Sequence, residues 1–403
     1  MTYSSKPLCI SLITMSGFII RLIAKDFVSE DMQAFLLPWF NAIQTNGGLE
    51  GLSQQVGDYG LLYQTIIALF TYLDRNPIYL YKALSVSFDF VLALSVAFFI
   101  TREKWETHSD NSDKGKAFCF SYAIILMLPT VFLNSAFWGQ CDSIYTSFLL
   151  WSVWFLYKGK YDFAFFMLGW AFAFKLQSIL LIPLFLFVYC YNRQMHKPNF
   201  SLFCFFITYL IFWFSGIVAY CYGRGILDGI GIYVFQSMEY RRMWMNLPSF
   251  YYFWNLDYNA FHLYAILLTF LILAFGLYLI ISGKKKLESL QNYIEVAVFI
   301  EWTCMLFLPA MHERYTYVMD IMLVILAIND RKYIKYALIA NALSYYTYKH
   351  VLFSGGAINC WCVLLYIISW FYYSYSLFSD DLMVKDGKKQ DQDNETYSLI
   401  KQI

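Results

Sequence analysis

Charge is what this chain has least of. Asp, Glu, Lys and Arg make up 14% of its 403 residues, against roughly 25% in an ordinary soluble domain. That shortage excludes a conventional water-facing surface over most of the molecule. The formal net charge of +1 says nothing about partners, and no nucleic-acid partner is expected. Cysteine is present but builds no disulfide framework. Most of the nine lie in or beside apolar runs, where Cys behaves as a small hydrophobe. Cys360 and Cys362 have one residue between them, the wrong spacing for a redox pair or a zinc clip. There is no P-loop, dinucleotide fingerprint, internal repeat or lipid-attachment motif. His108, His196, His262 and His350 are too scattered to form a metal set. No cofactor is therefore required, although a divalent ion held by carboxylates alone is left open. A cleavable signal is also missing. Residues 8–24 are apolar apart from Arg21, with no small-residue cleavage site after them, and read as a first membrane helix.

What the chain has in abundance is apolar sequence, 60% by composition and 21% aromatic. It comes in repeated runs of about 17 to 25 residues, the length of a transmembrane helix. The fold class is an all-α polytopic membrane protein. Twelve spans are predicted, near 8–25, 78–100, 117–136, 143–157, 162–174, 176–190, 200–221, 259–281, 291–309, 315–329, 333–348 and 356–378. With both termini inside, the short cytoplasmic loops collect most of the 29 Lys and Arg residues, the usual orientation bias. Lys284-Lys285-Lys286 and Arg331-Lys332 anchor it. Residues 1–378 then form one membrane-embedded domain, and 379–403 a polar, disordered cytoplasmic tail.

Two outer loops follow. The first, 26–77, carries Met32, Phe35, Leu36, Trp39 and Phe40 at spacings of three and four, as on an interfacial helix. Its apolar stretch Leu61–Leu73 is short for a crossing and is expected to lie on the membrane or re-enter it. The second, 222–258, holds Tyr222, Tyr233, Tyr240, Arg241, Arg242, Trp244, Tyr252 and Trp254. These suit an interfacial aromatic belt or a sugar-stacking surface.

Polar clusters mark the ends of spans on that outer side. Ser29, Glu30 and Asp31 can cap a helix, or the acidic pair can supply a general base. Arg21, within an apolar span, can neutralise a carboxylate or bind a phosphate. The run Phe137-Trp138-Gly139-Gln140-Cys141-Asp142-Ser143 joins two apolar segments. A carboxylate there is costly in hydrocarbon and usually functional. A helical turn would put Trp138 and Asp142 on one face, with Gln140 beside them to bind sugar hydroxyls. His312-Glu313-Arg314 brings an Arg that can grip phosphate bidentately and a His that can donate to it. Lys175 either snorkels to the interface or joins Arg314 at a lipid phosphate.

The segments Ser29-Glu30-Asp31-Met32, Asn134 to Ser143, Ala173-Phe174-Lys175-Leu176-Gln177 and Leu308 to Tyr315 together resemble the bacterial mannosyltransferase-like proteins. These are related to the enzyme that adds the second mannose of glycosylphosphatidylinositol anchors, within the GT-C class of integral-membrane glycosyltransferases. The resemblance implies a GT-C fold and transfer of a hexose, with inversion, from a polyprenyl-phosphate carrier to a glycan or glycolipid acceptor. The reaction would occur at the non-cytoplasmic face of a membrane, the bacterial plasma membrane being favoured. It implies a catalytic acidic residue at Asp31, acting as general base, with Glu30 as neighbour. Lys175, Arg314, His312 and Arg21 would hold the donor phosphate. Trp138, Gln140, Asp142, Glu313, Asp58 and Tyr59 would bind sugar or acceptor. Where many members close the first loop with Pro-Pro, this chain reads Asp58-Tyr59-Gly60. A transporter or flippase for a lipid-linked saccharide, or a polymerase or ligase, are the competing readings. A transporter should carry polar residues deep in several spans.

Overall fold

Backbone polar groups in an apolar setting must bond to one another, and a helix does this within a single segment. The computed structural model describes residues 5–105, 111–283, 285–353 and 358–379, and among these every regular element is helical. The expected tail beyond Ser379 lies outside the described residues.

Among the described residues four helices are long and apolar enough to cross a membrane: Pro77–Arg102, Leu176–Gln194, Tyr258–Ser282 and Cys360–Ser379. The pair Asp113–Met127 and Pro129–Trp138, bent by 50°, makes a fifth if it is counted as one broken span. The break has a cause. Pro129 lacks an N–H and forces the preceding Leu128 out of helical geometry, to φ −66° and ψ 123°. Other expected spans coincide with shorter helices. Tyr161–Phe174 has 14 residues, about 21 Å of rise against a hydrocarbon core of about 30 Å. Leu61–Phe70 is shorter still, with 10 residues.

Helices that are apolar all round divide into two kinds. Leu290–Phe307 and Tyr317–Asn329 are enclosed by the rest of the protein on nearly every side. Tyr258–Ser282 leaves Leu263, Leu267, Phe270 and Leu271 more than half exposed, the pattern of a helix that faces lipid.

Several of the charges buried between these helices are paired, while Glu301 and Asp320 are buried without a counter-charge among the described residues. Arg21 donates from Nε to Asp89 Oδ2 at 2.7 Å and from Nη1 to the carbonyls of Gly17 and Leu126. The Ser135 hydroxyl donates to the same Asp89 oxygen. Lys285, from the middle of the expected basic knot, turns inward to Glu295 at 2.9 Å. Such a pair stabilises little over an apolar substitute, but a stranded member costs about 3–5 kcal/mol. Asp89→Ala should therefore markedly lower the thermal unfolding temperature of the detergent-purified protein. The double change Arg21→Met with Asp89→Leu should recover most of that loss. Equal loss in both variants would contradict the pairing.

Candidate active site

The site is assembled from three distant segments: 29–59, 138–140 and 312–314. In the first, Ser29 is buried and links two of them. Its hydroxyl accepts from the Met32 N–H and donates to the Trp138 carbonyl, both at 3.2 Å. A π-helical turn over Met32–Leu36 then leads into the helix Leu37–Thr45. Met32, Leu36, Phe40 and Ile43 are buried, while Phe35 of the expected stripe is 45% exposed. A second π-helical stretch, Leu133–Trp138, ends at Gly139 with φ 75°. The left-handed dihedral favours glycine there, and a Cβ would press on the flexible end of the Met32 side chain, 2.4 Å away. Single π turns within helices concentrate at functional sites, and here both flank the same carboxylate.

That carboxylate is Asp31. Its Oδ2 accepts from Trp138 Nε1 at 2.9 Å and from Gln140 Nε2 at 3.2 Å, and Arg314 Nη2 lies 3.4 Å away. Its Oδ1 has no hydrogen-bond partner among the described residues. The Asp31 side chain is 27% exposed and borders a cavity of about 230 Å³. Gln140 is oriented by Tyr59, whose hydroxyl donates to Gln140 Oε1 at 2.6 Å. The Tyr59 carbonyl in turn accepts from Gln64, which also donates to Gln55. Arg224 of the second outer loop completes the chain by donating to Gln55 Oε1.

Arg314 stacks its guanidinium over the Trp138 ring at 5.1 Å and lies 3.7 Å from Glu313 Oε1. Its Nε and Nη1 are buried without a hydrogen-bond partner, as is His312 Nε2. Donors buried and unpartnered are costly, and these belong to residues that line the Asp31 cavity. Burial, reinforced by the charges of Arg314 and Lys175, pushes His312 down to about 3. Its imidazole is therefore neutral at physiological pH. Burial raises the proton affinities of Asp58 and Glu313, partly offset by Arg314.

Asp31, Asp58, Tyr59, Gln140, His312, Glu313 and Arg314 thus line one cavity. Five other expected site residues are placed elsewhere. Glu30 faces solvent. Arg21 is consumed by Asp89. Lys175 and Asp142 are both buried and donate and accept within a mutual pair, and Asp142 Oδ2 also accepts from Asn134 at 2.6 Å. Trp138 is 1% exposed, its ring enclosed by Arg314 and an edge-on Tyr348 at 5.3 Å. It serves Asp31 through its N–H and offers no face for a sugar. The helical spacing expected to align Trp138 with Asp142 fails because left-handed Gly139 ends one helix before Asp142 begins the next.

Trp39, Tyr240 and Asn246 also line the cavity; in the sequence Trp39 stands in the interfacial stripe and Tyr240 in the loop that suits a belt or a sugar-stacking surface, while Asn246 is not singled out. Asn246 adopts a left-handed φ of 54°, which the sequence alone does not show. Among the described residues no group of three or more potential ligands is arranged to hold a metal. No protein family matches this chain, and no curated protein matches it either.

The neutral His312 makes a signed prediction. Unfolding lets it take up a proton near its ordinary pKa of about 6.5, whereas the folded protein resists until about 3. Stability from this group is therefore present above pH 6.5 and lost as pH falls toward 3. Between pH 7 and 5 the wild type should lose about 2 kcal/mol more than His312→Gln. Parallel pH profiles of unfolding for the two proteins would contradict a neutral, buried imidazole.

Proposed function

We propose that the protein is an integral-membrane inverting glycosyltransferase of GT-C type. In this reading it moves a hexose from a polyprenyl-phosphate carrier to a hydroxyl of a glycan or glycolipid on the non-cytoplasmic face of the bacterial plasma membrane. The twelve-span topology belongs to the same proposal. The observation that carries it is Asp31: one carboxylate oxygen accepts two hydrogen bonds and pairs with Arg314, the other has no partner among the described residues, and the whole group borders a cavity.

The chemistry assigned to these groups is a direct displacement. Asp31 Oδ1 takes the proton of the acceptor hydroxyl as its oxygen attacks the anomeric carbon. The bond from that carbon to the carrier phosphate breaks, and its electron pair passes to the phosphate oxygen. Arg314 Nε and Nη1 answer the developing charge, an effect worth several kcal/mol where water is scarce. Neutral His312 adds a hydrogen bond from its ring rather than a charge. Lys175, held by Asp142, contributes only its electrostatic field. Aromatic faces for the sugar come from Trp39, Tyr59 and Tyr240. A neighbouring apolar groove of about 210 Å³, lined by Leu176, Ile179, Leu308, Pro309 and Met311 and sharing Tyr240 with the cavity, suits the first isoprene units.

The test is transfer by the purified protein from polyprenyl-phosphate hexoses to a panel of acceptor glycans. Asp31→Asn should lower turnover by about 10²–10⁴-fold while donor still binds, and Arg314→Ala by about 10²–10³-fold. Near-normal transfer by both variants would overturn the assignment.

A further inference from the structure

The second outer loop forms a cleft of about 710 Å³, lined by Arg241, Arg242, Trp244, Tyr252, Trp254 and Asp257 among others. Its aromatic groups differ in what they are free to do. Trp244 donates from its ring N–H to the Leu247 carbonyl at 2.5 Å and packs edge-on against Tyr252. The Tyr252 hydroxyl donates to the Ile358 carbonyl at 2.8 Å. These two are fixed walls. Trp254 remains 53% exposed and Phe253 42% exposed, so they present open faces.

The charges also divide. Asp257 is engaged at the start of the helix Tyr258–Ser282, accepting from the Ala260 N–H at 2.9 Å. Arg241 and Arg242 are both exposed, and neither makes an ion pair or hydrogen bond with a described residue. The cleft therefore combines open aromatic faces with two uncommitted guanidiniums. The faces suit the C–H side of a sugar ring. The guanidiniums bind carboxylate or phosphate oxygens in a planar, bidentate manner.

Its position relates it to the Asp31 cavity. Tyr240 and Asn246 line that cavity, while Arg241, Arg242 and Trp244 between them line the cleft. The Ala310 N–H, two residues before His312, donates to the Met243 carbonyl at 3.4 Å. Trp244 and Asn246 are two residues apart, no more than about 7 Å along the chain. A polymer whose terminal hydroxyl entered the cavity would reach the cleft within one or two sugar units.

We propose that this cleft is a subsite for an anionic acceptor glycan, one whose repeating units carry carboxylate or phosphodiester groups. That the glycan is the acceptor rests on the transferase reading above; that the cleft binds an anionic oligosaccharide does not. Two guanidiniums set the charge preference, and Trp254 supplies the sugar platform.

Binding can be measured directly with the full chain in phosphatidylcholine nanodiscs. The probes are a hyaluronan hexasaccharide, a glycerol-phosphate hexamer and, as neutral control, cellohexaose. At least one anionic probe should bind about tenfold or more tightly than cellohexaose. R241A/R242A should abolish that preference and R241K/R242K should restore part of it. W254A should weaken all oligosaccharides together. The two anionic probes decide between carboxylate and phosphate. Equal binding of all three probes, or a preference untouched by R241A/R242A, overturns the proposal. So does an outcome in which R241A/R242A alters only retention of phosphatidylglycerol around the protein, which would make the cleft a lipid-headgroup contact. Failure of the transferase reading looks different: no hexose is transferred to any acceptor, yet charge-selective binding persists.

Discussion

The structure around the candidate site depends on one carboxylate oxygen. Asp31 Oδ2 collects an indole N–H, an amide N–H and a guanidinium from residues that lie 107, 109 and 283 positions further along the chain. Each charge-assisted contact is worth about 1.5–3 kcal/mol when well formed. Their combined effect is to fix where Asp31, Gln140 and Arg314 sit relative to one another. It also decides which carboxylate oxygen is left over, and that choice gives the site its chemistry.

The surroundings hold this arrangement rather than merely permit it. Tyr59 sets the orientation of the Gln140 amide, so that its nitrogen and not its oxygen meets Asp31. The chain of amides through Gln64 and Gln55 to Arg224 ties that orientation to the second outer loop. Gly139 lets the 137–143 run turn sharply enough for Trp138 and Gln140 to serve Asp31 while Asp142 departs to Lys175. Arg314 balances on Trp138, with two of its nitrogens making no hydrogen bond to a described residue.

Parts of this were legible in the sequence. An acidic residue directly after an apolar span, and a His-Glu-Arg triplet between two others, are hard to reconcile with simple packing, and the structure brings Asp31 and Arg314 into contact. The long apolar runs were equally clear as helices. Their number as spans was less so, because apolar composition does not distinguish a helix that faces lipid, such as Tyr258–Ser282, from one enclosed by protein, such as Tyr317–Asn329. Arg21 could neutralise a carboxylate or bind a phosphate, and Lys175 could snorkel or hold a phosphate, because a charge in an apolar segment needs a counter-charge and the sequence does not show whether the protein supplies it. It does: Asp89 lies 68 residues from Arg21, and Asp142 lies 33 residues before Lys175. The alignment of Trp138 with Asp142 assumed unbroken helix, which a single left-handed glycine prevents. Tyr59 sits within a loop whose local sequence gives no hint that its hydroxyl would position an amide 81 residues away.

The central claim is that Arg314 and the free oxygen of Asp31 face the same bound phosphosugar. It is tested most directly by determining the structure of the full chain in a nanodisc with a polyprenyl-phosphate hexose bound. The account predicts phosphate oxygens within hydrogen-bonding distance of Arg314 Nε or Nη1. The anomeric carbon should lie close enough to Asp31 for an acceptor oxygen, hydrogen-bonded to Oδ1, to stand about 3–3.5 Å from it. A phosphate bound away from Arg314, or an anomeric carbon turned away from Asp31, would contradict it.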